Sequence, residues 1–582
     1  MSIYDKSSLV LIPSGTKAGK VYSQKPVSGD GDFTFTRSSA ATRVNASGNI
    51  EKETSNLLSG SNDFDNNTYW SVTNVSVVSG QAGYDGTNDA FKIVEDTASG
   101  QHIIQQSVLS LGVVQCVSVY AKAAGRDWLM INQSGIRRTY YDLANGVMGT
   151  IDGGVIDATI TDVGGGWYRC TYTADMDYTG LRIGPTTSNG VNTYTGDGAS
   201  GILVQDAQVE QGLVARDYIE TTTSAVYGGI TDNVPRLDYT DSSCPALLLE
   251  PQRTNTYTNS EYFDDWLSNR LDRTANNIIS PEGLQNAYKM AQQNGFTTAP
   301  NINKGGIAAG TYTISIFAKK GSWNYLAISF QGVSYFNLET GSKGTINSNH
   351  TATIEDYGNG WYRCAITRTT TTTQTPAFYF AESDNTLTTP DTQGYMYTYG
   401  AQLEAGSYAT SYIPTYGSSV TRTADFESDN DLVDTAISFG ANDDFTLFYE
   451  GSFNDLSSTS NMIMGGGRQQ LGASYKNYWW VQNATSMRIT GDAEVRLATT
   501  SMSLSDNTNH KLLVKRSGSV VDFFVDGSKL TTTQNNPNTA FTFRSLGWAY
   551  TNSVYKVSGN LKQALVFNQA LTDQEAIDLT TT

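Results

Sequence analysis

Apolar and polar residues alternate along this chain with a period of two, over short stretches separated by Gly, Asn, Asp and Thr. Ile314, Ile316 and Ala318 interleave with Ser315, Phe317 and Lys319. A strand turns successive side chains to opposite faces, so this pattern predicts a strand with one face in a core. DDFTLFYEGSF (443–453) alternates in the same way, as an outer strand. KLLVKRSGSVVDFFVDGSKL (511–530) predicts a hairpin. Its turn at Ser517–Ser519 places Val521, Phe523 and Val525 on one face, and Asp526–Gly527 supplies the next turn. Helical periodicity is nearly absent. The exception lies near the C-terminus, where Thr572 and Glu575 have capping-box spacing for a short helix that buries Ala576 and Leu579.

A long-period repeat organises these strands. GGGWYRCTYT (164–173) returns as GNGWYRCAIT (358–367), with Trp167 and Trp361 standing 194 residues apart. VSVYAKAAGRDWLMI (117–131) pairs with ISIFAKKGSWNYLAI (314–328), and DAFKI (89–93) with NAYKM (286–290). SNLLSGSNDFD (55–65) pairs with TNTYTNSEYFD (254–264), and DAQVEQGLVARDYIET (206–221) with GAQLEAGSYATSYIPT (400–415). Five segments in one order at a nearly constant offset predict a duplicated domain of about 165 residues. Short strands and tight turns make each copy a sandwich, most simply a jelly roll.

At 582 residues the chain is too long for one core. Its net charge of −18 repels phosphate backbones, so nucleic acid is not expected as a partner. Cys116, Cys170, Cys244 and Cys364 form no CxxC pattern, and His102, His350 and His510 are scattered, so neither a disulfide framework nor a metal or cofactor site is expected. Cys170 and Cys364 share a repeat position and read as small buried residues. The apolar run Leu9 to Ile12, ended by Pro13, is too short for a secretory signal. No apolar stretch approaches the length of a membrane span. Synthesis in the cytoplasm without a signal peptide, and no membrane insertion, are the expectations.

Sugars are held by aromatic faces together with amides and carboxylates. On that basis the glycan-binding candidates are Trp128, Trp323, Tyr325, Tyr478, Trp479 and Trp480. Trp128 and Trp323 fall in corresponding repeat segments after a Gly turn. Strand alternation points one of Trp479 and Trp480 outward. The competing reading for each is core or edge packing, as it is for Trp167 and Trp361. Gln208 with Glu210, and Gln402 with Glu404, recur in both copies. They read as hydroxyl or calcium contacts, or as a polar outer face or hydrogen-bonded corner. Asp522 and Asp526 read similarly, and His510 reads as structural. A glycosidase needs two carboxylates in a cleft, which sequence does not locate. No GxSxG elbow, GxxxxGK[ST] loop or β-helix repeat occurs, so no catalytic residue is assigned and no enzymatic activity is expected.

Three phrases carry a family resemblance: FTFTRSSAATRVNASGNIE (33–51), NVPRLDYTDSSCPALLLEPQRTN (233–255) and YIPTYGSSVTRTADF (412–426). They resemble phrases that join β-rich, carbohydrate-binding-like modules in tail and head fibre proteins of tailed bacteriophages. The hairpin ending in VDG and the late strand followed by ALTDQE resemble a concanavalin-like (laminin G-like) sandwich. The expected fold is therefore all-β: an extended N-terminal arm (1–54), a jelly roll (55–222), a joint (223–253), a second jelly roll (254–420) and a concanavalin-like sandwich (421–582). The apolar run Leu247–Leu249 in the joint needs a cover, either as a strapped linker or as the first strand of the second jelly roll. The resemblance implies a structural virion protein, a fibre or surface decoration. It would dock through its arm to capsid, portal or tail proteins, assemble as a homotrimer, and present modules to host-surface glycans at the virion surface. The alternatives are a spacer or clamp between virion proteins, and a polysaccharide depolymerase.

Overall fold

The computed structural model describes residues 2–107, 113–133, 136–175, 180–390, 393–425, 437–457, 461–465, 477–491, 495–546 and 557–581. The fold is all-β: two jelly-roll sandwiches in tandem, then a concanavalin-like sandwich, with an extended N-terminal arm laid along them.

The two jelly rolls have the same topology. In the first, one six-stranded sheet runs Val155–Gly164, Trp167–Asp175, Val114–Ala124, Gly201–Gln211, Ala90–Glu95, Val75–Gln81. Its counterpart in the second runs, from the opposite edge, Leu271–Ile278, Ala287–Gln292, Tyr395–Ala405, Gly310–Lys320, Trp361–Thr370, Thr351–Asp356. The paired register repeats as well, with Val119 opposite Cys170 and Ile316 opposite Cys364. Ile314, Ile316 and Ala318 point into the core of the second sandwich, as their spacing predicts. The other face of that strand is also covered: Phe317 packs with Trp361, Tyr399 and Tyr412 against Ile50 of the arm. Cys116, Cys170 and Cys364 are buried, and no disulfide forms.

The third sandwich is completed by chain from far upstream. Its larger sheet places Phe445–Gly451 between Gly559–Phe567 and His510–Ser517, which continues through the expected hairpin into Val520–Val525. On the free side of Gly559–Phe567 lie two borrowed strands. Leu9–Leu11 pairs as Leu9 with Val566, and Ala246–Leu249 pairs as Leu247 with Leu561. Leu9, Leu11, Leu247 and Leu249 join the same core as Trp479 and Phe523. The leucine run of the joint is thus a strap, and its cover is the C-terminal sandwich. The helix Asp573–Thr580 has the capping box in place, with Ala576 buried and Leu579 partly buried.

The three phrases that carry the family resemblance meet at one buried charged junction. Arg37 Nη1 donates to Asp425 Oδ1 at 3.0 Å, and Arg236 Nη1 donates to Glu250 Oε2 at 2.7 Å. Arg236 also pairs with Asp425, and Arg422 with Glu250. The Glu250 amide donates to Asp425 Oδ2 at 2.9 Å, and the Ser411 amide to Glu250 Oε1 at 2.7 Å. None of these five charged side chains is more than 3% exposed. Three arginines therefore share two carboxylates, and every charge depends on its partners. Burial alone would raise the Glu250 carboxyl, but Arg422 and Arg236 outweigh it and hold it down at about 2.

A second cluster locks the two jelly rolls together. Lys52 of the arm donates to Glu261 Oε1 at 2.7 Å and lies 3.2 Å from Glu282. Arg216 of the first jelly roll reaches Glu282 Oε1 through Nε at 2.8 Å, while its Nη1 holds Glu210 at 3.0 Å. Tyr399 OH stands 3.0 Å from both Glu261 Oε1 and Glu282 Oε2, its single proton shared between the two carboxylates.

Candidate functional site

The recurring Gln-x-Glu pairs are buried corners. Gln208 Nε2 donates to Glu210 Oε1 at 2.8 Å, while the Ile219 amide donates to Gln208 Oε1 at 2.8 Å and the Arg216 amide to Glu210 Oε1 at 2.8 Å. In the second copy Gln402 Nε2 donates to Glu404 Oε1 at 2.7 Å, and the Ile413 and Thr410 amides close the same loop at 2.7 and 2.9 Å. Of the readings open for these pairs, the structure has the hydrogen-bonded corner. A buried polar pair needs such partners to be tolerated in the interior. Asp526 accepts from the His510 ring and the Lys511 amide, and Asp522 pairs with Lys529 at 3.0 Å, so both serve the C-terminal hairpin.

The six aromatic candidates divide evenly. Trp323 is 2% exposed and belongs to the core of the second jelly roll, seated on Gly394, where an added Cβ would stand 1.8 Å from Trp323 Cε2. Trp479 is fully buried in the third sandwich. Trp480 faces the other way, as alternation requires, yet it is only 4% exposed. Arg488 Cζ lies 3.7 Å from its ring centroid and Tyr478 lies 4.7 Å away. The expected outward member of the Trp479/Trp480 pair is therefore covered, because the sheet carries side chains on both faces. Trp128, Tyr325 and Tyr478 are half-buried. Register makes Tyr325, not Trp323, the counterpart of Trp128, since each opens the equivalent strand, Trp128–Gln133 and Tyr325–Ser329. Trp128 packs over Gly149 beside Ile103, Met130 and Tyr140, and Tyr325 OH accepts from Asn337 Nδ2 at 3.0 Å. Trp167 and Trp361 are buried, as packing residues would be.

The structure forms a polar groove that the aromatic pattern does not indicate. It lies between the second jelly roll and the C-terminal sandwich and has a volume of about 690 Å³. One wall is the outer face of the sheet whose far end packs on the arm. Thr311 stands opposite Thr369, Thr313 opposite Thr367, and Glu355 opposite Arg363. With Thr351 and Thr353 they make a ladder of hydroxyls on one face, because every second residue points the same way. Thr311 and Thr369 are hydroxyl-bonded at 2.8 Å, and Thr313 and Thr367 at 2.6 Å. The opposite wall presents Asn454, Asp455, Ser457, Asp506, Asn507 and Asn560. Three contacts tie the walls: Ser407 Oγ donates to Asp455 Oδ2 at 2.7 Å, Tyr408 OH meets Ser558 Oγ at 2.6 Å, and Asn560 Nδ2 reaches Asp241 Oδ2 at 3.5 Å.

Glu355 is exposed to solvent inside the groove but walled by protein. Desolvation pushes its carboxyl above the ordinary range against the pull of Arg363, and Asp241 adds to the rise. The sequence signal for this wall was the Thr-x-Thr alternation repeated at 311–313, 351–353 and 367–369. Among the described residues, no group of three or more His, Cys, Asp or Glu is placed to hold a metal ion, and no helix is long and apolar enough to cross a membrane.

Asp206 is one of the acidic positions at which the two copies differ. Asp206 is 6% exposed at φ 53°, where the second copy has Gly400 at φ 50°. Burial first, then Asp89 and Asp85, raise its carboxyl to about 6 against the hydrogen bond from Tyr84. A carboxyl whose folded value is raised contributes stability below its unfolded pKa and loses it as pH rises through the folded value. Asp206→Asn keeps an acceptor for Tyr84 and a residue tolerant of this backbone. It is expected to stabilise the protein by up to about 3 kcal/mol above pH 6 and by nothing below pH 4, in urea unfolding across that range.

No family model matches the chain, and no curated protein sequence matches it. Solved structures do align. The CBM40 module of a Ruminococcus gnavus IT-sialidase, solved with α2,3-sialyllactose, is 13% identical over 24% of this chain and 84% of its own, with a TM-score of 0.21. A Trypanosoma rangeli sialidase is 10% identical over 88% of this chain and 99% of its own, with a TM-score of 0.20. The LG1-3 region of the laminin α2 chain is 10% identical over 81% of this chain and 96% of its own, with a TM-score of 0.17. The expectation of a chain without enzymatic activity is corrected here, since the structures aligned over 88% of it are sialidases, one of them a mutant displaying trans-sialidase activity. Such distant likenesses assign no reaction to this chain.

Proposed function

We propose that this chain is a carbohydrate-binding β-protein and that the groove between the second jelly roll and the C-terminal sandwich holds the glycan. The observation that carries this reading is the groove wall itself. Threonine hydroxyls, asparagine amides and carboxylates line a cleft large enough for several sugar units, with Tyr408 at its side. Sugar hydroxyls need convergent donors and acceptors, and a fixed cleft presents them without ordering cost. Each contact is weak, and repeated copies on one particle would multiply it.

The phrases at the junction support a place on a phage particle, as a homotrimeric fibre or decoration protein made in the host cytoplasm. Since Leu9–Leu11 is committed to the C-terminal sandwich, docking to capsid, portal or tail proteins would fall to the rest of the arm, where Val27 is 97% exposed and Tyr4 39%. A rigid spacer between virion proteins is the second reading, favoured by the two buried charged junctions.

A glycan array with the wild type and Thr353→Trp tests the site. Thr353 is exposed, so the large ring fills the groove without entering a core. Binding weakened about tenfold or more by Thr353→Trp, and retained by Trp128→Ala and Tyr325→Ala, is the expected result. Loss in the latter two variants alone moves the site to the outer sheet faces. A blank array for the folded protein rejects glycan binding and leaves the spacer.

A further inference from the structure

The groove's charges are unevenly placed. Asp238, Asp241, Glu355, Asp455 and Asp506 line it as carboxylates, together with Glu250, which Arg236 and Arg422 already neutralise. Its basic lining residues are Arg43 and Arg363. Arg43 is held by Glu51 at 2.9 Å. Arg363 is 3% exposed, donates through Nη1 to Thr410 O at 2.6 Å and through Nη2 to Ser315 Oγ at 3.1 Å, and stands opposite Glu355. No lysine or histidine lines the groove among the described residues.

Asp238 and Asp506 are bonded by neutral donors: Asp238 accepts from the Val44 and Thr240 amides, and Asp506 from the Leu456 amide. Neutral donors orient a carboxylate but leave its charge in the cleft. An anionic sugar entering here would face like charge on both walls and find both lining guanidiniums engaged, a juxtaposition that disfavours a partner strongly.

We infer that the groove selects glycans that are uncharged or carry an amino group, and excludes those bearing carboxylate or sulfate. This rests on the reading of the groove as the glycan site and adds the class of sugar. Glu355 and Asp241 flank the course an ammonium would take: Glu355 from the jelly-roll wall, Asp241 from the joint. Both are exposed, and Asp241→Asn keeps an oxygen to accept the 3.5 Å bond from Asn560 Nδ2.

The test is an array printed with matched sets: N-acetylglucosamine and glucosamine oligomers, galactosides with and without sialic acid, and sulfated and uronate oligomers. The expected hits are neutral or amino sugars, with every sialylated, sulfated or uronate member at least about tenfold weaker than its uncharged match. A Glu355→Gln, Asp241→Asn variant should narrow that gap to about threefold or less while still binding neutral sugars. Anionic members bound as well as their neutral matches would overturn the inference while leaving the groove reading in place. So would a gap unchanged in the double variant. A wholly blank array would instead remove the groove reading, and this inference with it.

Discussion

Replacing Asp425 with asparagine is expected to destabilise the protein by about 3–5 kcal/mol, although the two side chains have nearly the same shape. The carboxylate sits between Arg37 and Arg236, all three unexposed, and accepts the Glu250 amide as well. Removing its charge leaves Arg37, Arg236 and Arg422 around the single carboxylate of Glu250. The cost is the desolvation of guanidiniums left without a counter-charge, not the loss of one hydrogen bond. Because the junction gathers the arm, the joint and the segment before the C-terminal sandwich, its loss should also release the strap at Ala246–Leu249. Calorimetry should show the transition containing the third sandwich lowered by roughly 6–20 °C. Glu339→Gln is the control. Its ion pair with Lys320 is nearly half exposed on both sides, and its removal should cost under about 1 kcal/mol. Equal effects from the two substitutions would refute a cooperative junction.

Acid should undo the same junction. Glu250 sits at about 2 in the folded protein against an ordinary value of 4.5, while the unfolded chain returns to the ordinary value. The folded value is the lower one, so the unfolded state binds the extra proton and stability falls as pH drops. The contribution, about 3 kcal/mol, is complete above pH 4.5 and lost progressively as pH falls toward 2. Glu282, whose carboxyl is desolvated but held below its ordinary range by Arg216 and Lys52, loses stability in the same direction. Urea unfolding from pH 7 down to pH 2.5 should therefore steepen below about 4.5. Glu250→Gln should start less stable at pH 7 and show a shallower acid slope. A slope unchanged in that variant would place the acid sensitivity elsewhere.

The buried charged junction matters for the groove because it fixes the two walls relative to each other. The groove is lined on one side by the jelly-roll sheet and on the other by the third sandwich, with Thr42, Asp238 and Glu250 between them. Loosening the junction should weaken binding in the proposed glycan groove, whose lining includes Glu250.

Much of this architecture was legible from residues alone. The hairpin at Val521–Val525, the turn at Asp526–Gly527 and the capped helix after Thr572 depend on neighbours within a few positions, and local periodicity reports them faithfully. The duplication was legible because the same core positions recur in order. The aromatic sites were not. Trp323 and Trp128 both follow a Gly turn, yet one is core and the other half-buried, because Trp323 precedes its strand and seats on Gly394 whereas Trp128 is the first residue of its strand. Trp480 points away from its own sandwich core as alternation requires, but Arg488 and Tyr478 close over it. Alternation gives direction and says nothing about what lies there.

By itself, then, the chain's sequence determined an all-β fold, two copies of one sandwich and a different third unit. Those features follow from spacing over a few residues, or from similarity between segments. Only the tertiary structure decided that Leu9–Leu11 and Ala246–Leu249 complete the last sandwich, that three phrases drawn from 33–51, 233–255 and 412–426 converge on Asp425 and Glu250, and that Thr353, Asp241 and Asp506 share one groove. Partners so distant in sequence carry no period. They are chosen by whichever apolar edge and whichever counter-charge remain unsatisfied once the local elements have formed.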